Sequence, residues 1–184
     1  MKNLILIIAF ISSVFAAKSQ VIKADIQASG LTCSMCNKSI NTALKSLIFV
    51  ESVETDINNN MFSIVFKPGI KPDFDLLKKK VADAGFSVAN LWVYANFNQQ
   101  QIKNDVHINL DGINIHFVNV KEQVISGEKK IQVIDKDFLT AKAHKKFSNA
   151  TAMECFKTGY MAGCCNIKKD KNTTIKAKIR ADFL

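Results

Sequence analysis

Ile22, Ala24, Ile26 and Ala28 alternate with more polar residues, the two-residue period of a half-buried strand. The period then changes. Cys36, Ile40, Ala43, Leu44 and Leu47 fall on one helical face, and Ser34 is placed to cap its first turn. Val53, Thr55 and Ile57 alternate again. Asn58-Asn59-Asn60 suits the left-handed conformations of a hairpin turn, and Phe62, Ile64 and Phe66 form the returning strand, ended by Lys67-Pro68-Gly69. Asp73 is set to cap a second helix with Phe74, Leu77, Val81 and Ala84 as its apolar face. Gly85 stands where a helix C-terminus favours glycine. Phe86, Val88 and the run to Val93 predict a fourth strand. The order β-α-β-β-α-β is the split βαβ, or ferredoxin-like, arrangement.

After Val93 the pattern weakens. Asn96-Phe97-Asn98-Gln99-Gln100-Gln101 is polar and reads as a linker, which divides the chain into a first domain at 20–94, a linker at 95–104 and a second domain at 105–184. Val106, Ile108 and Leu110, then Asp111-Gly112, then Ile113, Ile115 and Phe117 predict a hairpin. Ser126-Gly127-Glu128 reads as a turn, Lys130 to Ile134 as a strand and Asp137 to Phe147 as a helix. Ile175, Ala177, Ile179 and Ala181 predict a closing strand. The chain is therefore expected to be α+β: a ferredoxin-like domain followed by a small, mostly-β domain with one helix and a Cys-rich segment at 153–165.

The first residues change the picture of where the chain works. Lys2 supplies a positive start and Leu4 to Phe15 an apolar run too short and wrongly flanked for a membrane span. Ala17-Lys18-Ser19 offers a cleavage site before Gln20, with Val14-Phe15-Ala16 as a second candidate. Residues 1–19 are thus expected to be a signal peptide, and the protein to be periplasmic or secreted with no membrane span once it is removed. The formal net charge of +9 falls to +7 without Lys2 and Lys18. Lysines supply it and are scattered, apart from Lys78-Lys79-Lys80 and Lys168-Lys169-Asp170-Lys171. No Arg-rich stripe with interleaved aromatics is present, so nucleic acid is not an expected partner. A solvated basic face, or steering toward an acidic partner, accounts for the charge. No Ser-His-Asp motif, phosphate loop or dinucleotide fingerprint is present, and no catalytic activity is expected.

Five cysteines, Cys33, Cys36, Cys155, Cys164 and Cys165, follow the cleavage site. The odd number leaves at least one thiol free, metal-bound or paired between chains. Cys33-Ser34-Met35-Cys36 lies at a strand-to-helix junction, where a helix N-terminus favours thiolates. Two such sulfurs can hold a soft metal ion or close into a disulfide, which an oxidising compartment permits. A thioredoxin-like redox pair is the catalytic alternative, but that fold needs a proline facing the sulfurs. Only Pro68 and Pro72 are available, and the element order differs. Cys155, Cys164 and Cys165, with Met153, Met161 and His144, form a soft-ligand cluster. It reads as a second metal site, a docking thiol or, preferably, a disulfide from Cys155 to Cys164 or Cys165 stapling a small domain. Adjacent Cys164 and Cys165 make a strained pair. His107 and His116 lie on neighbouring predicted strands and can face each other across the hairpin. As a lone pair without carboxylate or cysteine partners, they read as surface residues.

Residues 21–93 resemble the heavy-metal-associated domain family. Gly30-Leu31-Thr32-Cys33-Ser34-Met35-Cys36 is similar to its Gly-Met-Thr-Cys-x-x-Cys loop, and Ala84-Gly85-Phe86 to its Ala-Gly-aromatic motif. Leu31 replaces the usual Met and keeps its apolar role, and Phe49-Val50 replaces the usual Gly-Val. The resemblance implies near-linear two-sulfur coordination by Cys33 and Cys36. It also implies transfer of the ion to a metal-transport protein or metalloenzyme with a matching thiol site, with a third sulfur entering during exchange. Relatives that prefer zinc tend to carry a carboxylate immediately before the first cysteine. Thr32 supplies none, so Cu(I) is expected, with Ag(I) as a mimic and Hg(II) or Zn(II) as further candidates. Phe86 is expected to lie near the loop and shield it. The competing readings are a thiol–disulfide oxidoreductase, a Hg(II)-binding resistance protein, and an adaptor that keeps the fold without metal traffic.

Overall fold

The computed structural model describes residues 20–31, 33–158 and 174–178, the last five and Thr158 as backbone alone. In chain order the elements are β1 (Val21–Ser29), α1 (Ser34–Lys45), β2 (Val50–Asp56), β3 (Met61–Phe66), α2 (Phe74–Asp83), β4 (Ser87–Ile102), β5 (Val106–Leu110), β6 (Ile113–Phe117), β7 (Gln123–Val133), α3 (Ala141–Ser148), α4 (Glu154–Thr158) and β8 (Thr174–Lys178). The strands form one eight-stranded sheet in the order β2-β3-β1-β4-β7-β8-β6-β5. β6 and β8 are parallel; the other neighbours are antiparallel. The segment up to β4 is the expected ferredoxin-like unit, and the fold class is α+β as read from the sequence.

Local chemistry sets the boundaries. Asp73 caps α2, its carboxylate accepting a hydrogen bond from the Leu76 amide at 3.1 Å. The β2–β3 turn is held by Asp56 Oδ1, which accepts from the Asn58 and Asn59 amides at 3.0 and 3.2 Å, while Asn60 takes φ 52°. Ile40 and Leu44 of α1, with Phe74, Leu77 and Val81 of α2, are buried together with Ala24, Ile26, Phe62, Ile64, Leu91 and Val93 of the strands.

The expected linker is sheet. Most of the 95–104 stretch belongs to β4, which runs unbroken to Ile102 and pairs with β7 from Leu91↔Val133 to Ile102↔Gln123. The alternation Leu91, Val93, Ala95, Phe97 continues buried into that stretch. An extra residue on β4 between Phe97 and Gln100 then shifts the register, so the next buried position is Ile102. That bulge, with Gln99 at φ 44°, hides the strand period behind a polar run. Ser126-Gly127-Glu128, read as a turn, lies inside β7, with Gly127 (φ +72°) opposite Phe97.

One apolar cluster consequently spans both halves, from Ile40 of α1 through Phe97 of β4 to Ile115 and Phe117 of β6 and Phe138 beyond β7. A second, smaller cluster joins Val118, Ile134, Leu139 and Phe156. Among the described residues the second half has two helices where one was expected. Thr140 caps α3 by accepting from the Ala143 amide at 3.3 Å, so this helix begins four residues after Asp137. The α4 helix lies in the Cys-rich segment. The Asp111-Gly112 hairpin is as read: both residues have positive φ, 50° and 79°, and β5 pairs with β6 in the register that a two-residue turn imposes. The closing strand is found as β8. Ile179 and Ala181, like the expected signal peptide at 1–19, lie outside the described residues. No helix among the described residues is long and apolar enough to cross a membrane.

Candidate functional site

The loop after β1 is built by backbone requirements first. Gly30 takes φ +86°, a conformation that a side chain resists. A Cβ added there would stand 3.9 Å from Phe86 Cδ1. Phe86 thus lies against the loop, as expected, and both Phe86 and Leu31 pack half-buried on the core. Leu31 keeps the inward apolar role assigned to it.

The first turn of α1 then presents the two cysteines. Cys33, not the expected Ser34, is the N-cap. Its backbone is extended (φ −147°, ψ 156°), and its Sγ accepts a hydrogen bond from the Cys36 amide at 3.3 Å. The sulfur does the work a serine oxygen does elsewhere, which displaces the cap by one residue. Cys33 is exposed and Cys36 half-buried. Their Cα atoms are 5.4 Å apart and the sulfurs are joined as a disulfide, one of the two states the spacing allows. The first turn of α1 carries no acidic residue, so the helix dipole faces the sulfurs without a competing carboxylate. Met35, between the cysteines, is 70% exposed. Asn37, which sequence reasoning missed, is buried beneath the loop. Its Nδ2 donates to the Cys33 carbonyl at 3.5 Å, and its Oδ1 has no hydrogen-bond partner among the described residues. Thr32 lies outside the described residues.

The other soft-ligand residues are elsewhere. Cys155 lies on α4 and meets the β5–β6 hairpin. β6 is four places from β1 in the sheet order, roughly 19 Å at the usual strand spacing. Met153 is half-buried beside α4, its amide donating to Thr151 Oγ1 at 3.1 Å. His144 stacks on Phe156 with ring centroids 5.0 Å apart. Met161, Cys164 and Cys165, and with them the expected staple from Cys155, lie outside the described residues.

The histidines depart from their expected place on the surface. His107 and His116 face each other across the hairpin, rings stacked at 4.1 Å, but His116 is 0% exposed. Both reach Cys155. Its Sγ is 3.5 Å from His107 Nε2 and 3.7 Å from His116 Nδ1. Burial, reinforced by the neighbouring His116 and opposed by Asp105, pulls His107 down to about 4. The pairing of the two rings was readable from the turn position. Their meeting with a cysteine some forty residues on, brought over by α4, has no local sequence signal.

Residues 25–87 match the family model of the heavy-metal-associated domain. Over 81 residues the chain is 35% identical to a probable copper-exporting P-type ATPase of Archaeoglobus fulgidus, covering 44% of this chain and 10% of that protein. Over 91 residues it is 29% identical to the probable copper-transporting ATPase HMA5 of Arabidopsis thaliana, covering 50% of this chain and 9% of that one. The chain spans about a tenth of the length of these curated relatives. Among solved structures, a yeast copper transporter domain in its apo and Cu(I)-loaded states is 26% identical, covering 35% of this chain and 88% of its own, with a TM-score of 0.32.

Proposed function

We propose that the heavy-metal-associated domain of this chain is the binding end of an exported, non-catalytic Cu(I) carrier, with Cys33 and Cys36 as the ligands. The observation that carries this reading is the pair of sulfurs on the exposed first turn of α1, with no carboxylate in that turn. Two thiolates are a soft donor set that suits Cu(I), and the copper-handling names of the relatives agree with it. Exposed Cys33 and a low ligand number leave room for a partner's thiolate to enter, so the ion can pass to a transport protein or metalloenzyme with a matching site. Hg(II), Ag(I) and Zn(II) are competing cargoes, and a thiol–disulfide oxidoreductase is the catalytic alternative.

The disulfide form must be opened first. A dithiol reductant gives two electrons and two protons to the Cys33–Cys36 bond and becomes a disulfide itself. The two thiols then release two protons as Cu(I) binds. The positive end of α1 lowers the cost of that deprotonation. Signal-peptide export places the loop where such a reductant, or prior metallation, is required.

The test is a count of tightly bound Cu(I) on the chain with and without reductant. Reduction is expected to add one ion, and Cys33→Ser with Cys36→Ser to remove it. An unchanged count in the double variant contradicts the carrier reading. Insulin reduction by the chain without Cu(I) affinity at this pair would establish the oxidoreductase.

A further inference from the structure

The β5–β6 hairpin and α4 gather three metal-competent side chains that the carrier loop does not use. His107, His116 and Cys155 each offer one ligand atom, and these atoms all lie within 4.8 Å of one another. We propose that they form a second metal site, in which His107 Nε2, His116 Nδ1 and Cys155 Sγ bind one Zn(II) or Cu(I) ion and leave one coordination position open.

The two sulfur–nitrogen distances fit an ion held between the thiol and each imidazole. A sulfur at about 2.3 Å and a nitrogen at about 2.0–2.1 Å from a tetrahedral ion lie about 3.6 Å from each other. The two sulfur–nitrogen separations are 3.5 and 3.7 Å. The donor set is also of the right class, since two imidazoles and a thiolate suit copper and zinc and not the oxygen-seeking ions. Cys155 and His116 are 1% and 0% exposed, so charge must balance locally. A Cys155 thiolate, its proton lost on binding, cancels the charge of Cu(I). With Zn(II) one positive charge remains, and Asp105 stands behind His116 to answer it.

The surrounding residues orient the ligands. Asp105 Oδ1 lies 3.1 Å from His116 Nε2, which leaves Nδ1 turned toward Cys155. This is the carboxylate–histidine support that metal-binding imidazoles commonly have. Asp105 takes a left-handed backbone conformation, φ 63°, held by its amide donating to the Phe117 carbonyl at 2.8 Å. A residue strained into that conformation marks a constrained position. Thr151 Oγ1 donates to Asp105 Oδ1 and accepts from the Met153 amide, which ties the carboxylate to the segment leading into α4. His116, Asp105 and Thr151 are thereby held together before any ion arrives.

The test uses the full chain with Cys33, Cys36, Cys164 and Cys165 all changed to Ser, leaving Cys155 as its one cysteine and removing the carrier pair from the readout. Co(II), a coloured stand-in for Zn(II), is titrated first to read the ligand set, and Zn(II) and Cu(I), each held by a competing chelator, are then titrated in turn; the tighter of these two identifies the occupant. One equivalent is expected, with a thiolate-to-cobalt charge-transfer band. Cys155→Ser and His107→Gln should each abolish the band and weaken binding at least ~100-fold. Asp105→Asn, a change at a positioning residue, should weaken it ~10- to 100-fold with the band retained. A folded chain without the band, or a band that survives Cys155→Ser, overturns the site. Should the four-serine chain fail to fold, His107→Gln in the otherwise unaltered chain must lower the bound-metal count by one. Peptide mapping of the unaltered chain that finds Cys155 disulfide-linked to Cys164 or Cys165 also overturns it.

Discussion

Gly30 decides how the loop leaves β1, and the consequence reaches both sulfurs. Its φ of +86° turns the chain so that Leu31 packs inward and Cys33 emerges as the cap of α1. Gly30→Ala has space for its methyl group, 3.9 Å from Phe86, but not the backbone freedom. It should lower unfolding stability by about 1 kcal/mol, measured by urea denaturation of the chain. A variant as stable as the parent would show that the loop does not depend on this conformation. Cys33 adds a second lesson. A cap prediction that looks for oxygen finds Ser34, whereas the sulfur one place earlier accepts the hydrogen bond from the Cys36 amide. Reduction leaves that acceptor in place, since a thiol or thiolate sulfur retains its lone pairs.

The decisive element is β4. One edge of it, from Ser87 to Ala95, pairs with β1 and completes the ferredoxin-like unit, and its other edge, from Leu91 to Ile102, pairs with β7 and carries the remaining strands. The bulge at Gln99 lies beyond the end of the β1 pairing, in the stretch that pairs with β7. Gln99 takes φ 44°, where a β-branched residue is strained. Gln99→Val should therefore destabilise the chain by about 1 kcal/mol, and Gln99→Gly should not, by the same urea assay. Equal stability of the two variants would remove the bulge's conformational role. The same bulge explains what was readable from sequence. Between Ala24 and Val93 most core positions keep two- and 3.6-residue periods, with caps such as Asp73, so the element order was legible; Ile22 and Ile57 leave the pattern, the first half-buried beside a β1 bulge and the second exposed after the end of β2. From Asn98 onward the period slips by one residue under a run of Asn and Gln. Continuous sheet then looks like a linker. The α4 helix is too short to show a period at all. Its placement of Cys155 against His107 and His116 is a tertiary event, visible only after β6 has been buried on both faces.

At the scale of the whole molecule the two halves share one sheet and one core. They should therefore unfold together. Far-UV circular dichroism and the fluorescence of Trp92, which sits on β4 beside both β1 and β7, are expected to give coincident urea transitions. Two separated transitions would mean independent domains. Asp25 ties the halves electrostatically on the sheet face. It accepts from Ser63 Oγ at 2.8 Å, Tyr94 Oη at 2.7 Å and Lys130 Nζ at 3.1 Å. Burial alone would raise its pKa, but these hydrogen bonds and the Lys130 charge outweigh burial and hold it below the ordinary 3.8. The folded chain thus binds fewer protons here than the unfolded chain. The contribution is present above about pH 4 and is lost as the pH falls through the folded value. Asp25→Asn should flatten the fall of the urea midpoint in that acid range; an unaltered slope would contradict the linkage.

The central claim is that reduced Cys33 and Cys36 hold Cu(I). It is tested most directly by the copper K-edge absorption spectrum of the reduced chain carrying one equivalent of Cu(I). Cys155→Ser is introduced so that the hairpin site does not compete. A shell of two sulfurs is expected, lost when Cys33→Ser and Cys36→Ser are added. A shell of nitrogen or oxygen, or a sulfur shell that those two substitutions leave unchanged, would contradict it.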